Sequence, residues 1–196
     1  FHVNAALDKA RELGRNEGYF CPNQFDTEWN VAENRDWLGQ EILQQLPDGR
    51  VPDALVMGVG TGGTLIGVGQ ALRAVNPDCL LVGVEPADSR TIACGQVGKH
   101  YIEGIADGFV PEIIQRHRGE PDYFTAVNSE DALTEMRRIA RRHGCFVGPS
   151  SGAHLLAAQE VRRNHPERET VVTLFCDEGE KYCAEYFRPL PPGGAS

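Results

Sequence analysis

The sequence predicts an α/β fold in which a mostly parallel β-sheet is covered by helices on both faces. Two observations carry this expectation. The runs at residues 54–59, 80–84 and 170–175 are almost wholly apolar, without the in-out alternation of a sheet that has one wet face. Between them lie stretches whose apolar residues recur at helical spacing, and strands alternating with helices specify a parallel sheet in three αβα layers.

Each element follows in chain order. Residues 4–13 have helical spacing and stop near Gly14. Residues 19–21 read as a short strand and 23–30 as a polar turn. A stripe of Trp37, Leu38, Ile42, Leu43 and Leu46 predicts a helix over 34–46, which Pro47-Asp48-Gly49 ends. Strand 54–59 leads to helix 65–75, then strand 80–84. Residues 87–120 are less regular and read as excursion loops. A strand at 122–127 precedes a helix over 129–143 with Asn128 or Ser129 as its cap. A short strand at 145–147, a helix at 153–163 closed before Pro166, the strand 170–175 and a last helix at 180–187 complete the series. The tail 189–196, "PLPPGGAS", reads as disordered. No internal repeat is present.

Composition narrows the function. A net charge of −9 argues against a nucleic-acid partner, whose phosphates need basic patches. No apolar run approaches the roughly 20 residues of a membrane span. The first ten residues read as an amphipathic helix already under way, with no signal peptide, and Phe1 in place of Met suggests a piece of a longer chain. Cys21, Cys79, Cys94, Cys145, Cys176 and Cys183 form no C-x-x-C pair, so they are expected to be reduced, mostly buried thiols of a cytoplasmic protein. The six histidines are scattered, and no metal site is expected.

The stretch Val56-Met57-Gly58-Val59-Gly60-Thr61-Gly62-Gly63-Thr64 joins a strand to a helix through glycines and threonines. Such a junction is an anion site, because the first helical N–H groups are unpaired and the helix dipole is positive there. It has two readings. Gly58, Gly60 and Gly63 fit G-x-G-x-x-G, and Glu85 ends the next strand where a dinucleotide fold places a ribose ligand. That would make the chain half of an NAD-dependent oxidoreductase. Alternatively, the crowded Gly60-Thr61-Gly62-Gly63-Thr64 suits a single terminal phosphate gripped on all sides.

The second reading is where a family resemblance enters. Gly60–Thr64 resembles the phosphate cup of the cysteine synthase and cystathionine β-synthase family, enzymes of the type II pyridoxal-phosphate fold (tryptophan-synthase-β-like). Five further segments resemble that family in its order. These are Asn23-Gln24-Phe25 with Asn30; Gly83-Val84-Glu85-Pro86 with Asp88-Ser89; Ile102-Glu103-Gly104-Ile105 with Gly108-Phe109-Val110-Pro111; Gly148-Pro149-Ser150-Ser151-Gly152-Ala153; and Gly179-Glu180-Lys181-Tyr182. The resemblance implies that Gly60, Thr61, Gly62, Gly63 and Thr64 hold the phosphate of pyridoxal 5'-phosphate, and that Ser150 faces the ring nitrogen. A neutral hydroxyl there suits β-elimination more than transamination. It further implies that Gln24 and Gly104 meet the substrate, that Cys176 or Asp177 lies near the ring nitrogen, and that Glu85 is a structural loop residue. Plainer roles stand beside these: Ser150 or Ser151 as a helix cap, and Gln24 and Gly104 as turn residues.

One part of the family pattern is missing. The resemblance calls for a Schiff-base lysine in an N-P-x-x-S-x-K-x-R motif and a following S-x-N-T-G loop, and neither occurs. Lys9, Lys99 and Lys181 are the three lysines, and none has that context, so no catalytic residue is assigned. The chain is therefore expected to be an N-terminally incomplete fold. Residues 1–25 would be the end of a small mobile domain, 26–188 the large cofactor-binding domain and 189–196 a tail. The implied parent enzyme performs β-replacement or β-elimination on an activated serine or cysteine, with sulfide or a thiol as partner, as a cytoplasmic homodimer. The 196 residues alone are expected to be inactive, and a non-catalytic binding or regulatory remnant is the alternative. Asn34, Gln40 and Ala106 depart from the family's histidine, proline and second loop glycine, which marks a divergent branch.

Overall fold

The structure, a computed structural model, describes residues 2–187. Four strands, β1 (Ala54–Gly58), β2 (Leu80–Pro86), β3 (Tyr123–Val127) and β4 (Val171–Val172), form one sheet in the order β3-β2-β1-β4. Every pairing is parallel, with Ala54 opposite both Leu80 and Val171, and Val82 opposite Tyr123. Successive strand residues face opposite sides. Leu55, Met57 and Leu81 pack into one core with Leu65, Ile66, Val68 and Leu72 of α4 (Gly63–Val75). Ala54, Val56, Val82 and Val84 pack into the other with Ala153, Ala157 and Val161 of α8 (Pro149–Asn164). The apolar runs are thus buried on both sides, and each fully buried leucine or isoleucine contributes about 1.5–3 kcal/mol.

The remaining helices complete the layers. They are α1 (His2–Leu13), α2 (Glu28–Glu33), α3 (Gly39–Gln45), α5 (Thr91–Cys94), α6 (Glu112–Arg116), α7 (Ser129–His143) and α9 (Cys183–Tyr186). Asn128 caps α7 by accepting the Glu130 N–H at 2.8 Å. Glu130 and Asp131 at its start, and Arg141, Arg142 and His143 at its end, complement the helix dipole.

Several elements differ from expectation. The polar turn at 23–30 gives way to α2, because Thr27 caps a helix start by accepting the Trp29 N–H. A π-helical turn, Asn34–Leu38, then joins α2 to α3. Residues 19–21 form no strand. The strand expected at 145–147 is a single antiparallel bridge between Val147 and Glu178. The strand at 170–175 shortens to Val171–Val172, since beyond it side chains replace ladder bonds. Thr173 Oγ1 donates to the Val56 carbonyl at 2.7 Å, and His154 binds the Leu174 carbonyl. Helix α8 begins at Pro149 rather than 153, with Gly148 as its cap and proline at the first turn. The last helix is split into a 3₁₀ turn, Gly179–Tyr182, and α9. The loops of 87–120 hold the short α5 and α6. The tail 189–196 lies outside the described residues.

All six cysteines are free, but they are not mostly buried. Cys79 is buried, Cys21 is half-buried, and Cys94, Cys145, Cys176 and Cys183 are exposed. Burial pushes the Cys79 thiol up to about 11, which makes it inert. No helix among the described residues is long and apolar enough to cross a membrane.

Candidate cofactor site

The C-terminal ends of the strands gather the candidate residues at one edge of the sheet. The Gly60–Thr64 loop leaves β1 and opens α4. Gly62 is the helix cap and adopts φ +90°, a left-handed conformation that a side chain strains. No side chain caps this helix directly. Thr61 Oγ1 accepts the Gly63 N–H at 3.1 Å, and the Thr64 and Leu65 amides, in the same first turn, have no intrahelical partner.

Two other segments close on this loop. A methyl group at Gly63 would lie 2.0 Å from Asn30 Oδ1, and one at Gly60 would lie 2.5 Å from the Gly104 carbonyl oxygen. Asn30 acts as a strut. Its Nδ2 donates to the Gln24 carbonyl at 2.8 Å and to Thr61 Oγ1 at 3.1 Å, and its Oδ1 accepts from Asn34 Nδ2 at 3.0 Å. Phe25 packs edge-on against Phe109 at 5.0 Å, and its carbonyl accepts the Ile113 N–H. The structure therefore brings Gln24, the glycine loop and Gly104 together. The Gln24 side chain is exposed, and Gly104 adopts φ +89°.

Ser150 approaches from α8. It lies one helical turn before His154, which binds the end of β1. His154 Nε2 accepts the Gly58 N–H at 2.8 Å, and Nδ1–H donates to the Leu174 carbonyl at 2.8 Å. Burial holds this imidazole below its ordinary pKa, hence neutral. Neither serine is the helix cap. Ser151 Oγ accepts the Cys176 N–H at 3.2 Å, while Ser150, also a buried residue, makes no side-chain hydrogen bond among the described residues. Beside them the Asp177 carbonyl accepts the Gly148 N–H, and the Tyr182 hydroxyl holds the Asp177 carboxyl below its usual range.

The donor set fits a phosphate-bearing ring. First-turn amides and threonine hydroxyls stand at one end, two glycines admit no side chain, and the Ser150 hydroxyl of the neighbouring helix makes no hydrogen bond among the described residues. The dinucleotide reading loses its ribose ligand: Glu85 is 1% exposed and accepts the Ile92 and Ala93 N–H groups at 2.7 and 3.0 Å, capping α5. The three lysines lie outside the cup. Lys9 pairs with Glu12, Lys99 rests 5.5 Å over the Tyr101 ring, and Lys181 pairs with Asp177.

Sequence reasoning gave no role to Asn30 or to His154. Asn30 and Asn34 stand four apart, a spacing that puts both on one helix face, and this was the available signal. His154 carried none. Ala106 adopts φ +55°, the conformation its glycine counterpart would take freely. Ala106→Gly is expected to stabilise the protein by roughly 0.5–1 kcal/mol, read as a higher denaturation midpoint.

Comparison with known proteins gives the family and the fold. A cysteine synthase of Staphylococcus aureus is 36% identical over 180 residues, which is 92% of this chain and 57% of that protein. The chain thus spans little more than half the length of that relative. An O-acetylserine-dependent cystathionine β-synthase structure from Helicobacter pylori superposes with a TM-score of 0.85 at 32% identity, over 93% of this chain and 58% of its own. A hydrogen sulfide-producing enzyme of Fusobacterium nucleatum gives 0.86 at 30% identity, over 93% and 55%. The family model described as "Pyridoxal-phosphate dependent enzyme" matches residues 2–177, and the chain belongs to that family.

Proposed function

We propose that the chain is the cofactor-cradling C-terminal part of a cysteine synthase-like enzyme that performs β-replacement or β-elimination on an activated serine or cysteine. The observation that carries this is the convergence of the Gly60–Thr64 loop with Asn30 and Gly104 at the edge of the sheet where α8 brings Ser150. Bound pyridoxal 5'-phosphate would supply the electron sink for chemistry at the substrate's α- and β-carbons. In this reading the amides and hydroxyls of Gly60–Thr64 hold its phosphate, and Ser150 hydrogen-bonds the ring nitrogen as a neutral partner. Gln24 and the Gly104 backbone orient the substrate, with a thiol or sulfide as the second reactant. Residues 1–25 belong to the end of the small domain and 26–188 to the large one. The parent works as a cytoplasmic homodimer.

No residue here forms the covalent link to the cofactor, so these 196 residues alone are expected to be inactive. The test is borohydride reduction with pyridoxal phosphate, of this chain and of its full-length parent. The parent is expected to be labelled at a lysine outside this stretch and the isolated chain at none. Labelling of Lys9, Lys99 or Lys181 overturns the assignment.

A further inference from the structure

His117 joins three elements around the glycine cup. It follows α6, the short helix that braces the cup. The Ile113 N–H donates to the Phe25 carbonyl at 3.1 Å, and a methyl group on Gly62 would lie 2.7 Å from Ile114 Cδ1. The His117 ring lies between two carboxylates. Its Nδ1 is 2.6 Å from Glu120 Oε1, and its Nε2 is 3.2 and 3.1 Å from the two Glu28 oxygens. Glu28 opens α2, the helix whose Asn30 reaches Thr61. Glu120 is tied to α4, the helix that leaves the cup: Gln70 Nε2 donates to its carboxylate at 3.1 Å, and Arg73 Nη1 to its carbonyl at 2.6 Å.

Only an imidazolium can donate to both carboxylates. A neutral ring has one N–H and turns a lone pair on the other carboxylate. The His117 side chain is 18% exposed, which limits screening by water. Among the described residues, the carboxylates on the ring are Glu28 and Glu120. Arg116 shares Glu28 at 2.8 Å and also binds Asp26, while Arg73 meets Glu120 at its backbone and pairs with Asp122. Burial works against a proton on His117, but the hydrogen bonds with Glu120 and Glu28 outweigh it and hold the ring above its ordinary pKa. The doubly bonded ring is thus complete below about pH 6.5, the unfolded imidazole value, and is lost as the pH rises through the raised one.

We infer that His117 is a positioning residue whose proton clamps α2 to α4, so that cofactor affinity falls as that proton leaves. The inference rests on the cofactor site proposed above, with the Asn30–Thr61 hydrogen bond as the link from the clamp to the phosphate cup. Loss of the proton loosens α2, and with it the hold on Thr61 over the first turn of α4.

The test uses the full-length protein, with pyridoxal 5'-phosphate binding measured by equilibrium dialysis from about pH 6 to about pH 9. Other groups titrate in this range, so the readout is the ratio of wild-type to variant affinity at each pH. With His117→Gln that ratio is expected to fall about five-fold from the acid to the alkaline end. Glu28→Gln gives the neutral ring an amide N–H to accept and keeps an oxygen for Arg116. It is expected to retain its affinity at the alkaline end where the wild type loses it, so its ratio also falls about five-fold. A merely structural role would weaken each variant by one factor at every pH. Histidine side-chain NMR reads the proton directly: the His117 midpoint is expected above that of free imidazole side chains and to rise further on cofactor loading, because linkage is reciprocal. Should His117→Gln not fold, Glu28→Gln and this titration decide. Level ratios, or a His117 midpoint at or below the ordinary value, overturn the inference and leave the cofactor site standing. Wild-type protein that never loads cofactor overturns the site and the inference with it.

Discussion

In the full-length protein, His154→Ala is expected to cost about 3–5 kcal/mol of stability, seen as a large drop in the urea midpoint. The side chain is 1% exposed and fills space between β1, α8 and the segment after β4. Its loss opens a cavity and also leaves the Gly58 N–H and the Leu174 carbonyl buried without partners. His154→Gln offers one donor and one acceptor and is expected to recover part of the loss. A pH signature separates this role from packing alone. Burial depresses the folded pKa, so below the ordinary imidazole value of about 6.5 the unfolded chain binds the extra proton. Stability is therefore fully present above that value and falls as the pH drops toward the depressed one. His154→Gln is expected to flatten this part of the acid limb. An acid limb of unchanged slope would show that the ring is not held neutral.

What the sequence could and could not reveal divides by the range of the interactions involved. The buried strands and α4 were legible because their hydrophobicity is local and periodic, and they fell within two residues of their expected bounds. The glycine loop was legible because close backbone approach leaves a compositional trace. The short strand at Val171–Val172 was not, since its extension is cut off by Thr173 and His154, one of them twenty residues away in sequence from the carbonyl it binds. Helix α2 was hidden for a related reason. Its one asparagine, Asn30, is turned to the Gln24 carbonyl and Thr61 rather than to solvent, so a structural strut resembled a polar turn. His154 reads in the sequence as one more scattered histidine, and only its two backbone partners, drawn from different strands' ends, make it structural. Ser150 was expected at the ring nitrogen, with Ser150 or Ser151 as a helix cap, but that Ser151 is held by the Cys176 N–H depends on a contact 25 residues away in sequence.

Gly63→Ala is expected to weaken pyridoxal phosphate binding about 100-fold, near 2.7 kcal/mol, in the full-length enzyme measured by equilibrium dialysis. The new methyl would fall 2.0 Å from Asn30 Oδ1 and 2.4 Å from its Cγ, a separation no real contact shows. Asn30 has nowhere easy to go, because its amide is held by Gln24, Thr61 and Asn34 at once. Admitting the methyl means breaking that strut, which frees Thr61 from its place over the helix start and loosens the Gln24 segment. The phosphate donors and the substrate-side glutamine are thereby disturbed by one change that touches neither ligand. The coupling can be isolated with Asn30→Ala, which removes the clashing oxygen. Asn30→Ala alone is expected to weaken binding more modestly, about ten-fold, and adding Gly63→Ala to it should cost little more. Such strong non-additivity is the mark of residues sharing one contact. Independent, additive losses would mean that the glycine is required for some reason other than the asparagine packed against it.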